Sequence, residues 1–228
     1  MNLIDLTHTL REDIPYWDDS CGFESHLLLD HQQCTTKTKF RNLEFKMKGG
    51  IGTHMDAPLH CIPNAKDIAS IHVQDFVIPL NVIDVSKIAH SDYLLNIQEI
   101  NNYEKKYGMI KKNSFVAIYT GWSTKWNDKT AYRNEDQNHR MHFPGLLPET
   151  AEFLIGREVI GVGIDTLSPE GTNDDFPVHQ ILLSKGKYIV ENLAHLDQMP
   201  AAGAFIVVLP LKIEGATESP IRAIGIIF

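Results

Sequence analysis

Two histidines and one carboxylate fall within the segment from Gly52 to His60, which reads Gly-Thr-His-Met-Asp-Ala-Pro-Leu-His. His54 and Asp56 are two positions apart, so in extended backbone their side chains leave the same face and can converge on one cation. Pro58 stiffens the turn that carries His60 back towards the same point. Nitrogen and oxygen ligands of this kind suit zinc, manganese or iron better than calcium or magnesium. The segment therefore predicts a metal-dependent hydrolase.

A second pair of candidate ligands lies late in the chain, at His179 and Glu191. In a helix, His179 shares a face with Leu182 and Leu183, so it should point inward. In a strand, Glu191 alternates in phase with Ile189, which places a carboxylate on an apolar face, although by itself it could be an edge-strand group facing water. A buried carboxylate without a partner is costly. A metal ion would be that partner, and we predict that both residues are ligands.

The elements that must position these groups are mostly strands. Apolar, aromatic and β-branched runs bounded by turn residues predict strands at 3–6, 40–47, 80–85, 114–119, 159–165, 188–193, 204–213 and 221–228. Helices are predicted at 97–107, capped by Asn96 and stopped by Gly108, at 148–154, and from Asp175 and Pro177 to Gly186. Residues 15–19 and 123–140 are predicted loops. No repeat or linker divides the chain, so we predict one mixed α/β domain over residues 1–228.

Charge and composition narrow the classes of partner. The formal net charge of −8 argues against nucleic acid or an anionic membrane surface as partner. No apolar run approaches the roughly 18 to 20 residues of a membrane span, and the first residues lack the apolar run of a signal peptide. The three cysteines form no Cys-x-x-Cys pair, which favours reduced thiols. We therefore expect a cytoplasmic protein that acts on a small molecule.

Several motifs together resemble the cyclase family, which includes bacterial kynurenine formamidase and isatin hydrolase. They are Gly-Thr-His-x-Asp-x-Pro-x-His, Phe-Pro-Gly at 143–145, Gly-Val-Gly-Ile-Asp at 161–165, and Pro-Val-His-Gln-Ile-Leu-Leu followed by Ile-Val-Glu-Asn-Leu within 177–193. They occur in order along nearly the whole chain. The resemblance implies a swivelling β/β/α fold, usually dimeric, that hydrolyses amides with zinc or manganese.

The resemblance also implies roles for the candidate ligands. His54 and Asp56 match ligands of the first motif, and Asp56 matches the carboxylate that can bridge two cations. His179 and Glu191 match the ligands of a second metal. One position departs from the pattern, because the family often has another histidine four residues before the second, where this chain has Gly50. The resemblance therefore implies one or two cations per chain and leaves the replacement for that histidine open.

Two further residues match groups that act on the substrate. His60 matches the general acid/base, which would take a proton from water and deliver it to the leaving nitrogen. Trp17 matches an aromatic side chain that lies against the substrate, although an aromatic beside a proline can simply pack over the core. The first expected substrate is an N-formyl aniline such as N-formylkynurenine, and a cyclic amide such as isatin is the alternative. A third possibility, motivated by Gly50, is a metal- or ligand-binding member without turnover.

Four other residues have more than one interpretation. Cys61 adjoins His60, but neighbours in extended chain point to opposite faces, so we expect Cys61 to pack rather than react. Asp165 could orient a ligand or cap the end of a strand. His139 and His142 lie in the predicted polar loop, where we expect exposure rather than a place beside the pocket.

Overall fold

The computed structural model describes residues 1–18 and 20–228, so residue 19 of the predicted loop at 15–19 lies outside the described residues. The strands are β1 (Asn2–Asp5), β2 (Phe23–Leu29), β3 (Asn42–Met47), β4 (His54–Asp56), β5 (Val77–Asp84), β6 (Leu94–Leu95), β7 (Phe115–Tyr119), β8 (Gly145–Leu146), β9 (Gly161–Ile164), β10 (Tyr188–Glu191), β11 (Ala204–Pro210) and β12 (Glu218–Ile227). The α-helices are α1 (Ile97–Tyr107), α2 (Lys129–Arg133), α3 (Pro148–Gly156) and α4 (Pro177–Ser184).

Eight strands form the main sheet, in the order β1-β12-β11-β5-β7-β9-β10-β4. The middle strands β5, β7, β9 and β10 run parallel to their neighbours in that series, and the flanking pairs are antiparallel. The first three residues of β12 also pair with β4, while the remainder of β12 pairs with β11 and β1. This extra pairing closes the sheet into a barrel-like ring, with β4 between β10 and β12.

The apolar runs of the parallel strands are explained by burial on both faces of the sheet. One face packs inside the ring, where Met55, Leu80 and Val190 are fully buried. The other face packs against α1, α3 and α4, with Ile100 and Leu182 among the buried contacts. The helices thus cover one face of the sheet. Because Met55 and Val190 point inside the ring, the residues that alternate with them on β4 and β10 point to the outer face, on the side of the helices.

Most of the predicted elements are confirmed. Helix α1 has the predicted bounds, with the Asn96 side chain accepting hydrogen bonds from the amides of Gln98 and Glu99, and Gly108 ending it at φ +91°. The strand predicted at 221–228 instead begins at Glu218, and the strand predicted at 188–193 ends at Glu191. In the described residues no helix is long and apolar enough to cross a membrane.

One local prediction is wrong, one strand has no counterpart among the predictions, and one helix starts at the second of its two predicted residues. The predicted loop at 123–140 contains α2, whose first turn is capped by Asp128 through the amide of Ala131. Strand β2 was not predicted, because its sequence mixes charged and apolar residues. Helix α4 begins at Pro177, one of the two predicted starting residues, and Asp175 lies before it. Its cap position is Phe176, which has φ +52° and makes no capping hydrogen bond through its side chain.

Strands β2 and β3 pair with each other rather than with the main sheet, and together form a hairpin that we call the arm. Opposite residues of an antiparallel pair share a face, and the register pairs Leu27 with Leu43 and Phe23 with Met47. Phe45 lies on this same face, where its ring stacks on Phe23 at 5.7 Å between centroids. Leu27, Leu43, Phe45 and Met47 are between 39% and 52% exposed, so the arm presents an apolar face.

Candidate metal and catalytic site

Strand β4 brings His54 and Asp56 to one face between two neighbouring strands. Its pairing with β10 sets Glu191 opposite His54, and its pairing with β12 sets Glu218 opposite Asp56. Directly opposed residues of antiparallel strands have side chains on the same face. Three strands thus deliver one histidine and three carboxylates to a single point, and the predicted extended backbone at His54 and Asp56 is confirmed.

The imidazole of His54 is oriented by its own backbone. Its Nδ1 donates to the carbonyl oxygen of Gly52 at 2.9 Å, which leaves Nε2 facing the carboxylates. Nε2 lies 3.4 Å from Asp56 Oδ1 and 3.3 Å from Glu191 Oε2. A metal-ligating histidine characteristically has its other ring nitrogen held in this way.

His179 reaches the same point from the first turn of α4. Glu170 holds it, accepting from the amides of Val178 at 3.1 Å and His179 at 2.6 Å, and from His179 Nδ1 at 2.9 Å. A carboxylate at a helix N-terminus also meets the positive end of the helix dipole. His179 Nε2 then lies 3.6 Å from Asp56 Oδ2 and 3.4 Å from Glu191 Oε1.

Asp56 provides the test of whether a cation fits here. Its side chain is almost fully buried, and neither carboxylate oxygen has a hydrogen-bond partner among residues 1–18 and 20–228. The imidazoles of His54 and His179 approach only to ion-pair distances. A buried carboxylate without hydrogen bonds is costly unless a positive charge balances it. The orphaned oxygens and the convergent nitrogens therefore fit a divalent cation.

The pKa values at this point reflect the concentrated charge. Burial alone raises the pKa of Asp56, but the imidazoles of His54 and His179 outweigh it and hold the pKa below its usual range. Burial alone lowers the pKa values of the two histidines, but Asp56 and Glu191 outweigh it and hold both well above their usual range. A bound cation would take the place of the protons that these imidazoles otherwise carry.

In the described residues the donors form two overlapping groups that share Asp56. His54, Asp56 and Glu218 form one, and Asp56, His179 and Glu191 form the other, each with ligand atoms within 4.8 Å of one another. Nitrogen and oxygen donors in such sets suit zinc or manganese. The four residues predicted as ligands are thus brought together, and their role in binding a metal stays a prediction.

His60 ends a short 3₁₀ helix, Pro58–His60, beside the donor groups. Its Nδ1 lies 3.4 Å from Glu218 Oε2, and its ring centroid lies 5.9 Å from that of His179. The side chain is 32% exposed, so it can exchange protons with solvent. Hydrogen bonding to Glu218 raises the pKa of His60, although burial opposes this.

A cavity of about 320 Å³ opens over the donor groups, and one wall of it is aromatic. Tyr16, Trp17 and Phe176 line this wall. Trp17 is 37% exposed, with its ring 5.6 Å from Phe176 and 6.4 Å edge-on to Phe143. The guanidinium of Arg133 donates to the backbone carbonyls of Tyr16 and Trp17, which holds their loop against the cavity. Trp17 thus faces the cavity while also packing on the aromatic cluster.

The residues with open interpretations are not among the described residues that line this cavity. Asp165 accepts hydrogen bonds from the amide and hydroxyl of Thr120 at 2.9 Å and 2.6 Å, so its carboxylate holds the chain just after the neighbouring strand β7 rather than a candidate ligand. His139 and His142 are not among the described residues that line this cavity. Cys61 packs against an apolar cluster, as expected, but the extended backbone invoked for it is wrong because the preceding residues form a 3₁₀ helix.

Three residues at the site escaped the sequence reasoning. Glu218 reaches it through the pairing of β12 with β4, Glu170 through the loop before α4, and Phe176 through its left-handed backbone at the start of α4. None carries a local sequence signal, because each depends on contacts between segments far apart in the chain.

Comparison with known proteins identifies the family. The family model described as "Putative cyclase" matches residues 4–171 of this chain. An isatin hydrolase from Roseibium aggregatum is 36% identical over 188 residues, which cover 77% of this chain and 71% of the relative. A kynurenine formamidase from Bacillus thuringiensis subsp. konkukian is 25% identical over 226 residues, which cover 97% of this chain and 95% of the relative.

Solved structures agree with the sequence matches. An isatin hydrolase bound to the product analogue thioisatinate has a TM-score of 0.90 and 28% identity, covering 99% of this chain and 92% of its own. Isatin hydrolase A from Labrenzia aggregata, bound to benzyl benzoate, has a TM-score of 0.89 and 31% identity, covering 99% of this chain and 93% of its own. The predicted resemblance and the mixed α/β fold are confirmed, and the chain belongs to the cyclase family of hydrolases.

Proposed function

We propose that this chain is a metal-dependent hydrolase of small aryl amides, with residues 1–228 acting as one catalytic domain. The observation that carries the proposal is the convergence of His54, Asp56, His179 and Glu191 beneath a cavity with His60 at its side. We further propose Zn²⁺ or Mn²⁺ as the cofactor, with one or two ions per chain. When bound, such an ion lowers the pKa of a water molecule and polarises the carbonyl oxygen of the amide.

The chain's own residues account for the remaining steps. Trp17 and Phe176 bind the aromatic ring of the substrate beside the donor groups. His60 takes a proton from water as the water oxygen bonds to the carbonyl carbon. His60 then returns the proton to the nitrogen as the carbon–nitrogen bond breaks. The products are a carboxylate and an amine, and proton transfer of this kind contributes roughly 10²–10⁴ in rate.

Two substrates fit this chemistry, and the identities to the two relatives favour one over the other. The higher identity to an isatin hydrolase, 36% against 25% for a kynurenine formamidase, favours a cyclic amide such as isatin. Ring opening would leave the carboxylate and the amine on one molecule. N-formylkynurenine, which would give kynurenine and formate by an arylformamidase reaction, is the second candidate because that relative matches 97% of the chain.

The test compares initial rates on isatin and N-formylkynurenine with one sample loaded with Mn²⁺ or Zn²⁺. We expect hydrolysis of at least one substrate, and a loss of about 10²–10⁴ in kcat for His60→Ala. His139→Ala is the matched control, because the His139 side chain is 88% exposed and does not line the cavity. Binding of metal without turnover of either amide would instead support a binding protein, and unchanged hydrolysis in His60→Ala would refute the assigned proton transfer.

We also propose that the protein is a homodimer in the cytoplasm. The apolar face of the arm supports the dimer, because Leu43 and Phe45 are 43% and 52% exposed and a second copy offers a matching face. The three free cysteines, Cys21, Cys34 and Cys61, support a reducing compartment. The molar mass in solution, measured by light scattering, tests the dimer.

A further inference from the structure

Gly50 stands where the family pattern often has a histidine, and the space beside it is filled from another strand. A Cβ atom built on Gly50 would lie 2.3 Å from Glu218 Oε1 and 3.3 Å from His54 Nε2. Any side chain at position 50 would therefore enter the volume that the Glu218 carboxylate occupies. That volume adjoins the ring nitrogen of His54 that faces the donor groups.

We propose that Glu218 is the third protein ligand of a divalent-cation site with His54 and Asp56, in the place that Gly50 leaves open. The inference rests on the proposed metal-dependent function and adds to it the composition of the first site. Ligand atoms of the three residues lie within 4.8 Å of one another, and the strand register sets Glu218 directly opposite Asp56. The independent observation is the buried Asp56 carboxylate, whose two oxygens have no hydrogen-bond partner in the part of the chain that the structure describes.

The two oxygens of Glu218 face different partners. Oε1 lies on the side of Gly50 and His54, where the cation would bind. Oε2 lies 3.4 Å from His60 Nδ1 and 3.3 Å from the hydroxyl of Thr217. One carboxylate thus links the cation position to the general acid/base. A rival explanation is that Glu218 serves only to orient His60, and the experiment must separate the two.

The exchange of an imidazole for a carboxylate has a chemical consequence. Carboxylate oxygens suit manganese, whereas imidazole nitrogens suit zinc. With Asp56 shared, the first site would have two carboxylates and one imidazole. We therefore expect this site to prefer Mn²⁺ over Zn²⁺ more strongly than a site with histidine at position 50.

Metal binding measured by titration calorimetry and elemental analysis tests the proposal. The variants are Glu218→Gln, Glu218→Ala and the double variant Gly50→His/Glu218→Ala. Glu214→Gln is the matched control, because Glu214 is exposed and precedes the same strand. His60→Ala is the second control, because it removes the partner of Glu218 Oε2 and leaves the proposed ligands in place.

We expect the wild-type chain to bind two Mn²⁺ ions, and both Glu218 single variants to lose one or to bind it at least about 100-fold more weakly. Loss of a group that merely orients a ligand already costs 10- to 100-fold. The double variant should recover the lost ion, with its preference moved towards Zn²⁺. Glu214→Gln should bind as the wild type does. His60→Ala should keep both ions and lose less affinity than the Glu218 variants, because it removes a partner of Glu218 and not the proposed ligand. Thermal melting with a chelator present checks that every variant is folded.

The proposal is overturned if folded Glu218→Ala and Glu218→Gln bind the same number of ions with wild-type affinity. It is also overturned if the wild type binds a single ion whose affinity does not depend on Glu218. Neither result depends on hydrolysis. If metal binding needs Glu218 but the chain cleaves no amide, the proposed function is refuted and this inference stands. If the chain cleaves an amide but its metal binding does not need Glu218, only this inference is refuted.

Discussion

The substitution Glu170→Gln should weaken metal binding, although Glu170 is not one of the proposed ligands. Glu170 is buried, and its carboxylate accepts three hydrogen bonds, from the amides of Val178 and His179 and from His179 Nδ1. A glutamine has only one side-chain acceptor oxygen, so its NH₂ group must face at least one of these donors. The ring of His179 then loses part of the contact that turns its Nε2 towards Asp56 and Glu191.

The expected size follows from what the substitution removes. Loss of a group that orients a ligating histidine costs roughly 10- to 100-fold in metal affinity. A buried amide left without an acceptor costs about 1–3 kcal/mol of folding free energy. Loss of the negative charge at the start of α4 adds about 0.3–1 kcal/mol. We therefore expect weaker binding at the group of Asp56, His179 and Glu191, together with a lower melting temperature.

Glu149→Gln provides the matched control. Glu149 lies in the first turn of α3, is exposed, and so shares the charge at a helix start without a histidine partner. Calorimetric titration with Mn²⁺ and chemical denaturation of the metal-free chain should show a small change in stability and no change in affinity for this control. If Glu170→Gln binds metal as tightly as Glu149→Gln, Glu170 has no part in orienting His179.

Three further predictions test other parts of the molecule. His8 stacks on Trp126, and burial, assisted by His195, lowers its pKa to about 3. The fold therefore favours unprotonated His8, and this contribution to stability is complete above pH 6.5. Between pH 6.5 and 3 this stability should fall by at most about 1.4 kcal/mol per pH unit, and denaturation of metal-free His8→Phe across that range should show a shallower slope than the wild type. Trp17→Ala should raise KM for an aryl amide about 2- to 12-fold with little change in kcat, as expected for loss of one aromatic contact, and steady-state kinetics that show only a kcat change would contradict this. Phe45→Glu, which puts a charge on the apolar face of the arm, should release monomers in light scattering, whereas Glu44→Lys on the opposite face should not.

The sequence predicts those site residues whose neighbours along the chain indicate which face of the helix or strand the side chain lies on. His54 and Asp56 share a face because they are two residues apart in a strand, and their short segment carries its own pattern. His179 and Glu191 were found because each sits in phase with apolar residues of its own helix or strand. Local periodicity therefore carries enough information for these four positions.

Other features depend on contacts that local patterns do not encode. Glu218 joins the site only because β12 pairs with β4, and those strands are separated by most of the chain. Helix α2 was missed because it is short and polar in sequence, although Tyr132 within it is buried. Phe176 occupies a left-handed conformation that sequence reasoning assigns to glycine or asparagine, so its place beside the cavity at the start of α4 has no local sequence signal.

The closure of the sheet around β4 determines how many donors the site can gather. On an open sheet β4 would have one neighbour, and Asp56 would have only Glu191 and the histidines nearby. With β10 on one side and β12 on the other, a strand of three residues has a glutamate across from each of its two polar side chains. Three carboxylates at one largely buried point repel one another unless cations separate them. In the metal-free chain the imidazoles of His54 and His179 face these carboxylates, and a bound cation would supply the positive charge in their place. The pairing that completes the ring therefore couples cation binding to the stability of the β4–β12 contact.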